Sequence, residues 1–164
     1  MKHYCQDTSL FAYEDFVCAY ECMYFAEKVY FSPKNYYFYN RFSGCSMHQR
    51  YHEELFANNR QAAQYLRLRI GGRGNDTMER QINQFQFDGL VSAVYQELQF
   101  CSSFKSACEG IRKKMWQVEE FPLCPVDGLT FSEKCYVYLL SFGHVSPALL
   151  ATKAVILLLR IWRK

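Results

Sequence analysis

Leu10, Tyr13, Val17, Tyr20 and Tyr24 recur at three- and four-residue steps. That spacing predicts an amphipathic helix. Thr8 and Ser9 can cap its start, with Glu14 and Asp15 near its positive end. Phe11, Cys18, Cys22, Phe25 and Val29 form a second stripe on the same stretch, so the helix is expected to be covered on two sides. Ser32-Pro33 ends it, because the residue before a proline is pushed out of the α region. An aromatic linker, KNYYFYNRFSG, follows. A second helix is predicted over roughly 44–70, with Tyr51, Leu55, Ala62, Leu66 and Ile70 inward and Gly71-Gly72 as its stop.

Residues 71–87, GGRGNDTMERQINQFQF, carry no sustained apolar stripe and read as a loop. Asp88 can cap a third helix, in which Leu90, Val94, Leu98, Cys101, Phe104, Cys108, Ile111 and Met115 make a continuous stripe. EEFPLCPVDG breaks the pattern with two prolines. A fourth helix is predicted from near Leu129 towards Ala151, with Gly143 and Pro147 as irregularities, and a short fifth over 154–162. A structureless loop of about 17 residues is unusual in a compact domain, but it suits two parallel helices. The second helix is roughly 40 Å long at 1.5 Å per residue, and such a loop reaches about 56 Å at ~3.3 Å per residue. The expectation is an all-α single domain over 1–164: a four-helix bundle with a long crossover loop between helices 2 and 3 and a short fifth C-terminal helix.

Composition narrows the function. The 164-residue chain is half hydrophobic and 18% aromatic, which excludes a disordered chain. Net charge is +3, too small to indicate nucleic acid. Basic residues cluster at Arg67, Arg69 and Arg73, at Arg112, Lys113 and Lys114, and at Arg160, Arg163 and Lys164, each read first as a solvated face. The start, MKHYCQDTSLFAYEDF, lacks an uninterrupted apolar core and does not read as a signal peptide. The eight cysteines are therefore expected to be mostly reduced and buried, in a cytoplasmic chain. Cys18 and Cys22 stand one helical turn apart and could share a metal, but apolar packing is the simpler reading. Asn75-Asp76-Thr77 fits a glycosylation acceptor and reads as loop without a secretory route. The C-terminal apolar run, Ala154 to Leu159, is bounded by Lys153 and Arg160 and falls short of the ~20 residues of a spanning helix. A buried terminal helix is expected, with no membrane span.

Candidate chemistry concentrates at His48, His52, Glu53 and Glu54, in HQRYHEE. This motif and several others resemble the ferritin family in order and spacing: Tyr4-Cys5-Gln6-Asp7, His48-Gln49, His52-Glu53-Glu54, Gly71-Gly72-Arg73, Gly89-Leu90, Leu123-Cys124 and Gly143-His144-Val145. The resemblance implies a ferritin-like bundle, iron storage or iron binding, and an oligomeric shell formed as a homo-oligomer or by co-assembly with other ferritin subunits.

Carried over position by position, the ferroxidase ligands are mostly replaced. The first-helix glutamate falls at Ala19, with Glu21 a register slip away, and the paired tyrosine at Ala26. Glu53 and Glu54 match, but the histidine beyond them is Ala57. The third-helix glutamate falls at Phe100, with Glu97 one turn off, and the fourth-helix glutamine at Cys135. The acids expected after Leu-Cys at a threefold pore are replaced by Pro125 and Gly128, leaving Asp127. The candidate metal residues are thus Glu53 and Glu54, then Glu21 and Glu97. The competing reading of HQRYHEE makes Glu53 and Glu54 a surface pair and His52 a packed or solvated side chain.

The resulting expectation is a ferritin-like shell subunit related to iron storage and lacking its own ferroxidase centre, with iron possible but not required for folding. The alternative is a repurposed non-iron helical bundle that binds a partner or membrane surface through its basic, apolar C-terminus.

Overall fold

The computed structural model describes residues 13–30, 32–34, 51–70 and 76–162. Six helices are present among them and no strand: α1 Glu14–Phe25, α2 Leu55–Ile70, α3 Asp76–Phe100, α4 Phe104–Trp116, α5 Phe131–Ser141 and α6 Val145–Trp162. The all-α expectation holds. Its long crossover does not.

Helix α3 begins at Asp76, so most of the stretch expected as loop is helical. Hydrogen bonds set its direction against α2. Tyr51 and His52 reach Glu97 and Gln96, Asn59 reaches Phe85, and Arg67 reaches Asn83 and Glu79. As residue number rises on α2 it falls on α3, so the two are antiparallel. The reason is the content of the inward face of α3. Ile82 and Phe87 are buried beside Asn83 and Gln86, and the amides interrupt the apolar period that would have announced a helix. Gly89 closes the pair, since a Cβ there would collide with the Asn59 carboxamide.

The predicted third helix is two helices. Ser103 takes extended dihedrals and its Oγ accepts a 3.1 Å bond from the Ser106 N–H, so α4 has its own N-cap. The predicted fourth and fifth helices are redivided as well. Thr130 and Glu133 form a capping box that starts α5 close to the expected Leu129. Gly143, at φ 77°, stops it after Ser141. Pro147 then sits in the first turn of α6, where its missing N–H has no helical acceptor to lose.

Helix α1 ends at Phe25, well before Pro33. Residues 26–30 are exposed, including Val29, and a helix without a packed face is marginal. The proposed Thr8 and Ser9 cap lies outside the described residues, as do Tyr4-Cys5-Gln6-Asp7, His48-Gln49 and Gly71-Gly72-Arg73.

Two apolar clusters form. One joins Phe56 and the C-terminal half of α3 to α4, α5, α6 and Leu123-Cys124. Leu90, Val94, Cys108, Ile111 and Met115 of the predicted stripe are buried in it. The other joins Val17 and Tyr20 of α1 to Ala62, Ala63, Leu66 and Ile82. Cys18, Cys101, Cys108, Cys124 and Cys135 are free thiols. Cys108 and Cys124 are buried, but Cys18 and Cys22 are exposed, because among the described residues α1 is covered on one side only, and Cys135 is exposed on α5.

Candidate functional site

The four predicted metal residues do not converge. Glu21 is buried on α1 and its Oε1 accepts from Arg69 Nε at 2.9 Å, near the C-terminal end of α2. Glu53 and Glu54 precede α2 and are exposed. Sixteen residues of helix separate the two ends of α2, roughly 24 Å at 1.5 Å per residue. Glu53 lies 3.0 Å from Lys113, whose bond and charge hold its carboxyl below the usual range. Ala57 and Cys135 are exposed, and Phe100 packs edge-on to Tyr51. Among the described residues no group of three or more His, Cys, Asp or Glu gathers closely enough for a metal ion.

Glu97 is the exception in environment. It is 1% exposed on α3 and faces α4. Gly110 makes room for it, since a Cβ there would collide with the Glu97 carboxylate. Its Oε1 accepts a 2.7 Å bond from the Tyr51 hydroxyl and lies 3.0 Å from Lys114 Nζ. Its Oε2 accepts from the Cys101 thiol at 3.0 Å. The Lys114 side chain is itself only 8% exposed. Its Nζ has no aligned hydrogen-bond acceptor on the protein, so charge holds the contact. The Tyr51 ring covers it, with its centroid 4.9 Å away.

These contacts fix the protonation states. Burial works to raise the Glu97 pKa, but the bonds from Cys101 and Tyr51 and the Lys114 ammonium outweigh it, and the carboxyl ends below its ordinary value. Burial, then the bond donated to Glu97, pushes the Tyr51 phenol up. Burial and the same carboxylate raise the Cys101 thiol, against a smaller pull from Ser106. At neutral pH the cluster therefore holds a carboxylate, a thiol and a phenol, with neither thiolate nor phenolate available as nucleophile.

A di-iron centre does not fit these residues. Both Glu97 oxygens are already engaged, Glu21 is paired at the far end of α2, and Ala57 offers no imidazole. What the cluster does is tie the segment before α2 to the α3–α4 hairpin. Sequence reasoning singled out Glu97 as an acid but missed its partner. The signal was the pairing of one acid at 97 with a cation at 114 across two stripes.

A second feature lies on α6. Val145, Ala148, Leu149 and Thr152 face the core. Leu150, Ala151, Ala154, Val155, Leu157 and Leu158 are exposed on the other side. The terminal helix expected to be buried is thus buried on one face only, because nothing in the described structure packs on its outer face. Among the described residues no helix is long and apolar enough to cross a membrane.

Comparison with protein-family models, with curated proteins and with solved structures finds no match to this chain.

Proposed function

We propose that this chain acts by docking, as a helical bundle that settles on an anionic membrane surface through the outer face of α6. The observation that carries this reading is an exposed apolar face in a stretch of sequence whose charges are of one sign. Leu150, Val155, Leu157 and Leu158 are half or more exposed, Leu158 at 65%. Beyond Glu133 the chain has no acidic residue, while Lys134, Lys153, Arg160, Arg163 and Lys164 are all basic. A helix that buries one apolar face and keeps lysine and arginine at its margin binds anionic lipid by area and charge together. The same charge disfavours covering the face with the equivalent face of a second copy.

Vesicle co-sedimentation tests it. Vesicles containing phosphatidylserine should retain the chain at low salt and release it as salt rises, while phosphatidylcholine vesicles should retain little. Leu158→Glu should abolish retention and leave the helical signal unchanged. Equal retention on both vesicle types, no retention on either, or a stable dimer that hides the face would reject the reading.

The ferritin-related shell subunit is the second reading. The ordered motifs favour it, and the antiparallel α2–α3 pair counts against it. Size separates the two: a shell runs at hundreds of kilodaltons, the single chain at 19.4 kDa.

A further inference from the structure

The corner where the turn between α3 and α4 meets α6 holds a slot of about 340 Å³, within the roughly 300–1,000 Å³ of ligand pockets. Three helices wall it: Tyr95 and Leu98 of α3, Phe104 at the start of α4, and Lys153, Ile156 and Leu157 of α6. On α3 and on α6 these residues stand three or four apart, so each helix turns one face to the slot. The turn itself contributes only the small side chains of Cys101, Ser102 and Ser103, and nothing large fills the corner.

The walls are open to a ligand. Phe104 is 37% exposed, Tyr95 40% and Leu157 50%, and Leu98 and Ile156 keep part of their surface. Lys153 is exposed and makes no ion pair among the described residues. No acidic residue lines the slot. Apolar walls with one unpaired cation match a ligand with an apolar body and one anionic end. A ligand with a cationic end would meet Lys153 with no acid to offset it. A methylene takes up about as much space as a water, ~30 Å³, so the slot has room for a chain of about ten carbons.

We propose that this slot binds a medium-chain fatty acid. Its carboxylate lies against Lys153, and its hydrocarbon chain lies along Leu98, Phe104, Ile156 and Leu157. Leu157 also belongs to the outer face of α6, but the slot is open to solution and the fatty acid binds without a membrane. It goes beyond membrane docking and does not depend on it.

Calorimetric titration of the full protein tests this with hexanoate, octanoate and decanoate, each below its micelle threshold. Decanoate should bind saturably, one per protein, in the submillimolar range. Affinity should rise about threefold per added carbon, as partial burial of each methylene gives, and level off beyond about ten carbons. Decyltrimethylammonium, with the same chain and a cationic head, should bind at least tenfold more weakly. Lys153→Glu should reverse that order. Ser102→Trp, at an exposed turn position, should fill the slot and abolish decanoate binding without changing the melting curve. Leu150→Gln, on the outer face of α6 but not lining the slot, should weaken vesicle retention and leave decanoate binding unchanged. Four results would overturn the proposal. They are no saturable binding of decanoate, decyltrimethylammonium binding the native protein as tightly, full decanoate binding by Ser102→Trp, and loss of decanoate binding in Leu150→Gln. The last would put the fatty acid on the outer face of α6 and not in the slot.

Discussion

The N-terminal half of α3 packs through amides and an arginine, whereas its C-terminal half packs through aliphatic side chains around one ion pair. In the first half, Arg67 Nη2 donates to Asn83 Oδ1 at 2.7 Å and to Gln86 Oε1 at 2.8 Å. Asn83 Nδ2 donates on to the Asp127 carbonyl, and Asn59 Nδ2 to the Phe85 carbonyl. In the second half, Leu90, Val94, Ile111, Val137, Leu140 and Leu149 exclude water almost completely. The only buried charges among them are Glu97 and Lys114, facing each other. The difference teaches where each half is vulnerable. Amide contacts contribute modestly but are directional. Aliphatic contacts are non-directional but intolerant of voids. A buried ion pair is weak as a net stabiliser and severe when one member is lost.

The largest effect follows from that last point. Lys114→Met leaves Glu97 buried without its counter-charge and should lower the unfolding free energy by about 3–5 kcal/mol at neutral pH. The pH dependence should weaken. In the native chain Glu97 titrates below its unfolded value, so its contribution is complete above pH ~4.3 and fades as pH falls through the folded pKa. In Lys114→Met the bonds from Cys101 and Tyr51 remain but the ammonium is gone, so burial meets less opposition and the loss of stability in acid should shrink. Urea unfolding from pH 7 to 4 reads both. A variant that loses stability in acid as the native chain does would show that Lys114 does not set the state of Glu97.

The contrast between halves also explains what the sequence announced and what it hid. The stripe Leu90 to Met115 was legible because an apolar period marks an aliphatic interface. The break inside it at Ser103 was hidden, because the stripe resumes in α4 with the same spacing. Helix α5 was legible at its start near Leu129. The helix over residues 76–87 was not, because its inward positions include Asn83 and Gln86, which score as solvent-facing. That one misreading turned a tight antiparallel pair into a crossover loop, and the crossover supported the parallel topology. Of the candidate acids, Glu97 could be picked from sequence but not its burial. That depends on Gly110 clearing space on a helix whose start was unseen. Cys18 and Cys22 lay on a periodic stripe, yet periodicity says only that residues share a face, not that anything covers it.

The halves should respond differently to truncation. Leu149→Ala removes aliphatic volume from the fully buried apolar cluster and should lower stability by about 3 kcal/mol. Asn83→Ala leaves Arg67 with one amide fewer and releases the Asp127 carbonyl, for a loss of about 2 kcal/mol. Denaturant midpoints of the two single variants and the double variant sharpen the contrast. The two losses should add within about 0.5 kcal/mol, since the sites share no partner. Asn83→Ala combined with Gln86→Ala should depart from additivity by more, because both amides accept from the same Arg67 nitrogen. Additivity in that second pair would mean the amide half is a set of separate contacts and not a network.

The smallest effect concerns a directional device that serves the apolar half, the capping box of α5. Glu133 Oε2 accepts from the Thr130 N–H at 2.7 Å and from its hydroxyl at 2.8 Å, while Thr130 Oγ1 accepts from the Glu133 N–H at 3.5 Å. The backbone bond from Thr130, then its hydroxyl, holds the Glu133 carboxyl below the usual range. The cap is exposed, so solvent screens it, and Thr130→Ala should lower stability by only about 1 kcal/mol. Its pH behaviour is the sharper test. A carboxyl with a lowered folded pKa adds stability above its unfolded value and loses it as pH falls through the folded one. Thr130→Ala removes the hydroxyl bond but keeps the backbone N–H. The acid-dependent part of the Glu133 contribution should therefore shrink without vanishing, and Glu133→Gln should remove it entirely. Carboxyl titration of Glu133 followed by NMR in the native chain and in Thr130→Ala measures the shift directly. An unchanged Glu133 titration in Thr130→Ala would mean that the hydroxyl plays no part in holding the carboxylate. The start of α5 would then rest on the backbone bond and on the apolar packing behind it, like the rest of its half of the molecule.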